Sequence, residues 1–199
     1  MPKQLLIATT NPAKFADYKN LLKDYNLELV NLDKFKISPP EETGKTFEDN
    51  AINKARYYFQ QSKIPTLVDD GGFEIEGLNN EPGVKSHRWL GREMSDEEMV
   101  EEVMKRTKDL PEEKKRCHMR MVVAVATSFG IVTSEGSIAG VVASTPSEKR
   151  IKGYPYRSVM YLPNYGKYFC EIDDAEHEIL NHRKHALEKI SDILLELSK

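Results

Sequence analysis

An apolar run from Leu5 to Ala8 passes across Thr9 and Thr10 straight into a helix start at Asn11-Pro12, and this order limits the fold more than any other feature. A short continuous apolar run reads as a buried strand. Asn suits a helix N-cap and Pro suits the first helical position. The helical pattern continues to about Leu22, and a second strand follows from Leu27 to Val30. Pro39 to Lys45 reads as a loop. Thr46, with Asp49 three residues on, resembles a capping box and opens a helix that runs to about Gln61. A strand from Thr66 to Val68 is expected to end at the turn Asp69-Asp70-Gly71-Gly72. Ser95 to about Lys108 reads as a helix charged on most faces, and Met94 to Lys115 as a solvated helix and loop. Strands are expected at Met119 to Thr127, Ile131 to Thr133 and Ser137 to Ala143. A final helix runs from about Asn181 to Leu197, with Ala186, Ile190, Leu194 and Leu197 at helical spacing. Helices and strands alternate first and strands then run together, which predicts an α/β fold with a mixed central sheet.

The 199 residues fit one large domain or one domain of two lobes. With 39% hydrophobic and 31% charged residues, the composition excludes a disordered or fibrous chain. A net charge of -3 gives no broad footprint for a phosphate backbone, so a nucleic-acid partner is not expected. A small phosphorylated ligand needs only a local cluster of Lys and Arg and stays open. Cys117 and Cys170 are far apart, which argues against a disulfide framework or a zinc site. The N-terminal apolar stretch is too short for a signal peptide and no stretch approaches a membrane span. A soluble cytoplasmic protein with no membrane partner is expected.

Several segments carry residues suited to chemistry. A strand that turns directly into a helix leaves unpaired N–H groups that, with the helix dipole, attract phosphate. Thr9, Thr10 and Asn11 add side-chain donors there. Lys14 adds a cation in the first turn, where the dipole disfavours it unless an anion is close. An ordinary capped helix with a solvated lysine explains the same residues. Glu48 and Asp49 at the next helix start read as capping acids, and Lys54 as a surface lysine, when taken alone. Asp69 and Asp70 end an apolar strand, where ligands of open α/β sheets gather. Two adjacent carboxylates repel unless a cation or a proton intervenes, and hard oxygens of this kind suit Mg²⁺. A polar turn closing a strand is the plainer alternative. Arg88 suits either a phosphate or a structural acid, and His182 and Arg183 follow the expected N-cap Asn181.

Taken together, these segments resemble the inosine triphosphate pyrophosphatase family, which destroys non-standard purine triphosphates such as ITP, dITP and XTP. The resemblance runs from Leu5 to about Ile190. The family's Ser/Thr-Asn-x-x-Lys is similar to Thr10 to Lys14, and its Thr-Phe-x-Glu-Asn-Ala-x-x-Lys-Ala is similar to Thr46 to Ala55. Its Asp-Asp-Ser-Gly-Leu is similar to Asp69 to Phe73, with Gly71 in the Ser place. Its Pro-Gly-Val-x-Ser-Ala-Arg is similar to Pro82 to Arg88, with His87 in the Ala place. Asn181-His182-Arg183 is similar to Ser-His-Arg, and Gly166-Lys167 and Glu171 also match. The segment Gly153 to Pro163 departs. Arg157, Ser158 and Met160 stand where the family has Asp, Pro and a base-stacking Phe.

The resemblance implies a single nucleoside triphosphate pyrophosphatase domain over residues 1–199, with an elongated two-lobed shape, a site in the central cleft and a homodimer. It implies Mg²⁺ as cofactor, held by Asp49 and Asp69, with Asp49 in the place of the family's Glu. Asp70 would position or deprotonate the attacking water, with Lys14 and Lys54 as the other catalytic groups. Thr9, Thr10, Asn11, Lys14, Lys54, Arg88, Tyr156, Lys167, His182 and Arg183 would bind the nucleotide. His182 and Arg183 would donate to a purine 6-oxo group. Two alternatives follow from the departures. The chain either turns over a different nucleotide, because the base-pocket segment has changed, or binds nucleotides with little turnover, because Asp49 and Gly71 differ.

Overall fold

The computed structural model describes residues 2–199. The chain begins with β1 (Lys3–Ile7), α1 (Pro12–Leu21), β2 (Leu27–Asn31), α2 (Phe47–Ser62) and β3 (Thr66–Ile75). The middle holds β4 (Glu81–Pro82), α3 (Asp96–Thr107), β5 (Arg116–Thr127) and β6 (Gly130–Val142). The last part holds β7 (Met160–Leu162), β8 (Lys167–Tyr168), α4 (Asp174–Leu180), α5 (His182–Lys189) and α6 (Ser191–Leu197). The strands are hydrogen-bonded in the order β2-β1-β3-β5-β6-β7-β8, with β4 on β3. β1 lies parallel to both β2 and β3, as strands joined through helices must. β4 runs antiparallel to β3, and β7 runs antiparallel to both β6 and β8. The sheet is therefore mixed, as the order of elements predicts.

The chain packs as two compact units. One comprises the chain up to Asp70 with Met121–Gly136 and Arg183–Lys199. Its core is built on Leu5, Ile7, Tyr18, Leu67, Val123 and Leu194. The other comprises Gly71–Arg120 and Ser137–His182. Its core is built on Phe73, Met99, Val103, Val159, Met160 and Phe169.

The start signals hold. Asn11 caps α1, its Oδ1 accepting from Ala13 N–H at 2.9 Å, and Thr46 caps α2 by accepting from Asp49 N–H at 3.0 Å. Four expectations need correction. β3 does not stop at the acidic pair but continues through Gly71-Gly72 to Ile75, because Phe73 and Ile75 resume the buried side of a strand at 0% exposure each. Gly72 serves close approach rather than a turn. A Cβ there would collide with Ser86 Oγ and lie 2.5 Å from the Gly83 carbonyl oxygen. β6 is one strand where two are expected, since an antiparallel strand can turn polar residues such as Glu135 to water without breaking. α3 is not solvated all round, because Met99, Val100 and Val103 enter the second core. The C-terminal helix breaks at Ile190 (φ -117°, ψ 22°) and is preceded by α4, which has its own capping box between Asp173 and Glu176. The break leaves Ala186, Ile190 and Leu194 in the core, so the apolar spacing still finds its face.

Leu194 is fully buried in α6, whereas its neighbour Leu195 is 52% exposed. Leu194→Ala is expected to cost about 2–5 kcal/mol in urea unfolding. Leu195→Ala should stay within about 0.5 kcal/mol of the parent.

Candidate active site

Asp69 and Asp70 are successive residues of a strand, so their side chains leave opposite faces of the sheet. Each meets a different set of partners within the first unit.

Asp69 points to α1 and α5. Its Oδ1 accepts from Lys14 Nζ at 2.6 Å. Its Oδ2 accepts from Tyr18 Oη at 3.0 Å and from Arg183 Nε at 3.1 Å. Arg183 is also held by Asp17 at 3.2 Å. Burial alone would raise the Asp69 carboxyl, but Lys14 and Arg183 outweigh it and hold the group well below the usual carboxylate range. The same burial, reinforced by the Asp69 charge, pushes the Tyr18 phenol well up, so it stays a neutral donor. The cation in the first turn of α1 thus has its anion inside the chain.

Asp70 points to α2. Its Oδ1 accepts from Lys54 Nζ at 2.6 Å and its Oδ2 from Asn50 Nδ2 at 3.2 Å. Asn50 and Lys54 stand four residues apart and so share one helix face. Lys54 also meets Glu42 of the preceding loop at 3.0 Å. Burial is the largest influence on Asp70 and, with the Glu42 charge, leaves it raised above its ordinary value despite Lys54. Burial would lower Lys54, but Asp70 and Glu42 more than offset this and leave it raised. The two carboxylates are therefore unequal. Asp69 carries three donors, two of them on Oδ2, whereas Asp70 carries one donor on each oxygen and keeps a lone pair on each.

The other expected residues of this unit are less engaged. Thr9 Oγ1 accepts from Asn11 N–H at 3.1 Å, so Thr9 and the Asn11 cap shape the loop before α1. Thr10 is exposed at its tip. Asp49 is exposed in the first turn of α2, flanking the face that carries Asn50 and Lys54. Among the described residues, no three His, Cys, Asp or Glu side chains stand together so as to hold a metal ion by themselves.

The remaining expected residues belong to the second unit. Arg88 is exposed, with Glu93 at 3.7 Å. The Tyr156 ring stacks on Phe73 with centroids 4.8 Å apart, and its hydroxyl donates to the Ser86 carbonyl. Its polar tip is thus spent on the backbone, which leaves Tyr156 a core residue here. Lys167 Nζ bonds both oxygens of Glu176, at 2.7 and 2.8 Å. His182 is buried. Arg157 is also buried, with its guanidinium 4.2 Å from the Tyr154 ring centroid and 4.7 Å from that of Phe169. Met160 is fully buried in the same core.

Sequence reasoning missed Tyr18, Asp17, Asn50 and Glu42. Asn50 left a trace, as a polar residue inside the buried stripe of Phe47, Ala51, Ala55 and Tyr58. The others left none, because their partners lie far away in sequence.

Residues 5–193 match the model of the Ham1 family. The chain is 32% identical to a dITP/XTP pyrophosphatase of Yersinia pseudotuberculosis over 195 residues, covering 96% of this chain and 98% of that one. It is 31% identical to the dITP/XTP pyrophosphatase of Coxiella burnetii over 196 residues, covering 97% of each. Its fold matches the solved structure of a HAM1 protein from Coxiella burnetii with a TM-score of 0.87 and 30% identity, over 98% of this chain and 99% of that one. It matches the Staphylococcus aureus Ham1 protein with a TM-score of 0.84 and 25% identity, over 96% and 98%.

Asp69→Asn should cost about 3–5 kcal/mol at pH 7, because Lys14 and Arg183 lose their buried counter-charge. A group whose folded pKa is depressed stabilises above its unfolded pKa, and that contribution fades as pH falls below about 4. The gap between parent and Asp69→Asn in urea midpoints should therefore narrow below that pH. Tyr18→Phe should cost about 1–2 kcal/mol at pH 7.

Proposed function

Because the chain belongs to the Ham1 family, we propose that it hydrolyses non-standard purine nucleoside triphosphates of the ITP, dITP and XTP type to the monophosphate and pyrophosphate, cleansing the nucleotide pool. Two of the relatives named above are dITP/XTP pyrophosphatases, and they align with nearly the whole chain. The observation that carries the reading is Asp70, a buried acid with an open lone pair on each oxygen beside the lysine Lys54.

A divalent ion belongs to the proposal. Mg²⁺ takes hard oxygens and usually one or two carboxylates together with substrate phosphates. Asp70 fits that demand, whereas the lone pairs of Asp69 are largely spent on Lys14, Tyr18 and Arg183. The ion would therefore sit on Asp70, with Asp49 as the further carboxylate at the same helix start. Among the described residues no three acids, histidines or cysteines stand together, so the ion would be shared with the triphosphate. When bound, Mg²⁺ would neutralise phosphate charge and lower the pKa of a coordinated water.

The rest of the chemistry falls to the chain's own groups. Asp70 aligns a water on the α-phosphorus and takes its proton. The water oxygen bonds to that phosphorus, the bond to the bridging oxygen breaks, and pyrophosphate leaves. Lys54 offsets charge on the phosphates by exchanging its contact with Glu42 for one with substrate. Lys14 does the same from α1, where N–H groups near Thr9, Thr10 and Asn11 favour an anion. Asp69 keeps Tyr18 and Arg183 when Lys14 turns away. Phosphoryl transfer of this kind relies on positioning and charge. By the family resemblance Arg88, Lys167 and His182 would also contact the nucleotide, and His182 and Arg183 would donate to a 6-oxo group; Tyr156 is set aside, because its hydroxyl is spent on the Ser86 carbonyl. A homodimer in the cytoplasm completes the proposal.

A second reading keeps the reaction and changes the base. It is supported by Arg157, which is wedged between Tyr154 and Phe169 in the segment where the family resemblance fails. Release of pyrophosphate from a panel of triphosphates with Mg²⁺ separates these readings. Release from ITP, dITP or XTP supports the first, and release only from other nucleotides supports the second. Binding without release sinks both. Asp70→Asn should lose about 10²-fold or more in kcat while unfolding at the parent's urea midpoint, as expected for a lost general base. An active Asp70→Asn protein would remove Asp70 from its role. Arg157→Asp should shift the order of preference across the panel, and an unchanged order would dissociate Arg157 from base choice.

A further inference from the structure

We infer that Asn50 is a positioning residue that aims the Asp70 carboxylate, and that the loop glycine Gly44 fixes Asn50 for this task. The inference rests on the reading of Asp70 as the acid that aligns water.

A carboxylate turns easily about its last bond, because that torsion is broad and two-fold. One donor on one oxygen leaves the plane free to swing, whereas donors on both oxygens define it. Lys54 and Asn50 supply one donor to each oxygen of Asp70, at 2.6 and 3.2 Å. Lys54 has a flexible stem and is shared with Glu42, so it is the mobile half of the pair. Asn50 is 3% exposed and has a short side chain. Its orientation follows from its second contact. The Gly44 N–H donates to Asn50 Oδ1 at 2.7 Å, and an N–H can face only the amide oxygen. The Nδ2 group is thereby turned to Asp70.

Gly44 is required for this contact. A Cβ at that position would collide with Asn50 Oδ1 and lie 2.8 Å from both the Asn50 backbone nitrogen and Asp49 Cβ. The loop therefore approaches α2 closely only because residue 44 has no side chain. The same loop carries Glu42 to Lys54. When a phosphate replaces Glu42 on Lys54, Lys54 is drawn to two partners, and Asn50 alone keeps the carboxylate plane in place.

Asn50→Asp is the discriminating substitution. It is nearly isosteric and still accepts the Gly44 N–H, so a purely structural role in docking the loop survives. When ionised it has no hydrogen to donate, and it sets a second carboxylate against Asp70 with Lys54 as the cation between them. Asn50→Asp is expected to lower kcat about tenfold or more on the best nucleotide of the panel, with KM within about twofold of the parent, read under conditions where the variant is fully folded because the added charge lowers its urea midpoint. Gly44→Ala should also lower kcat, although Asn50 itself remains. A crystal structure of Asn50→Asp should show the Asp70 carboxylate rotated or spread over several orientations. Parental kcat in Asn50→Asp, or a loss confined to KM, overturns the inference. A parent that releases no pyrophosphate from any nucleotide defeats the proposed function instead. The crystal structure still decides the inference in that case, and an unmoved Asp70 carboxylate overturns it.

Discussion

Two adjacent carboxylates on one strand cannot share a fate, and the site depends on that constraint. The alternation of a strand sends Asp69 and Asp70 to opposite faces. Asp69 is met by Lys14, Tyr18 and Arg183, and becomes the anchor that ties α1 and α5 to β3. Asp70 is met by Lys54 and Asn50 on α2 and keeps unused acceptor capacity. Burial weighs on both acids, and the number of cations decides the result. Two nearby cations hold Asp69 ionised, whereas the single lysine beside Asp70 is shared with Glu42.

The same constraint explains why the site is made from the first turns of two helices. Helix starts carry unpaired N–H groups and a favourable dipole for anions. α1 begins after β1 and α2 begins after the loop that holds Gly44, so each helix delivers its lysine from its first two turns. The lysines rest on carboxylates, Lys14 on Asp69 and Lys54 on Asp70 and Glu42. These pairs keep buried charges compensated before substrate arrives. A triphosphate offers Lys14 and Lys54 a more highly charged partner, and Lys54 takes it in exchange for Glu42 while keeping Asp70.

Much of this was legible in the chain, for reasons that are local. Asn11-Pro12 and Thr46 signal helix starts within a few residues, and the caps form as expected. Lys14, Lys54 and the Asp69-Asp70 pair stand out as charges beside apolar runs. β3 ran further than expected because glycines read as a turn are there for close approach, which depends on Ser86 and Gly83, fourteen and eleven residues beyond Gly72. The break at Ile190 left the apolar spacing of the last helices intact, so spacing alone could not reveal it. Tyr18 and Asp17 were invisible because their roles depend on Asp69 and Arg183, which the fold brings from far along the chain. Asn50 carried no role in the motif beside Asp49, yet it is the Asn50 side chain that meets Asp70, a contact 20 residues away in sequence.

The account stands or falls on the division of labour between the two acids. A crystal structure with Mg²⁺ and a non-hydrolysable triphosphate tests it most directly. The expected result is an ion bonded to Asp70 and to phosphate oxygens, with Asp69 still accepting from Tyr18 and Arg183. An ion seated on Asp69, with Tyr18 and Arg183 displaced and Asp70 turned away from the phosphates, would contradict it.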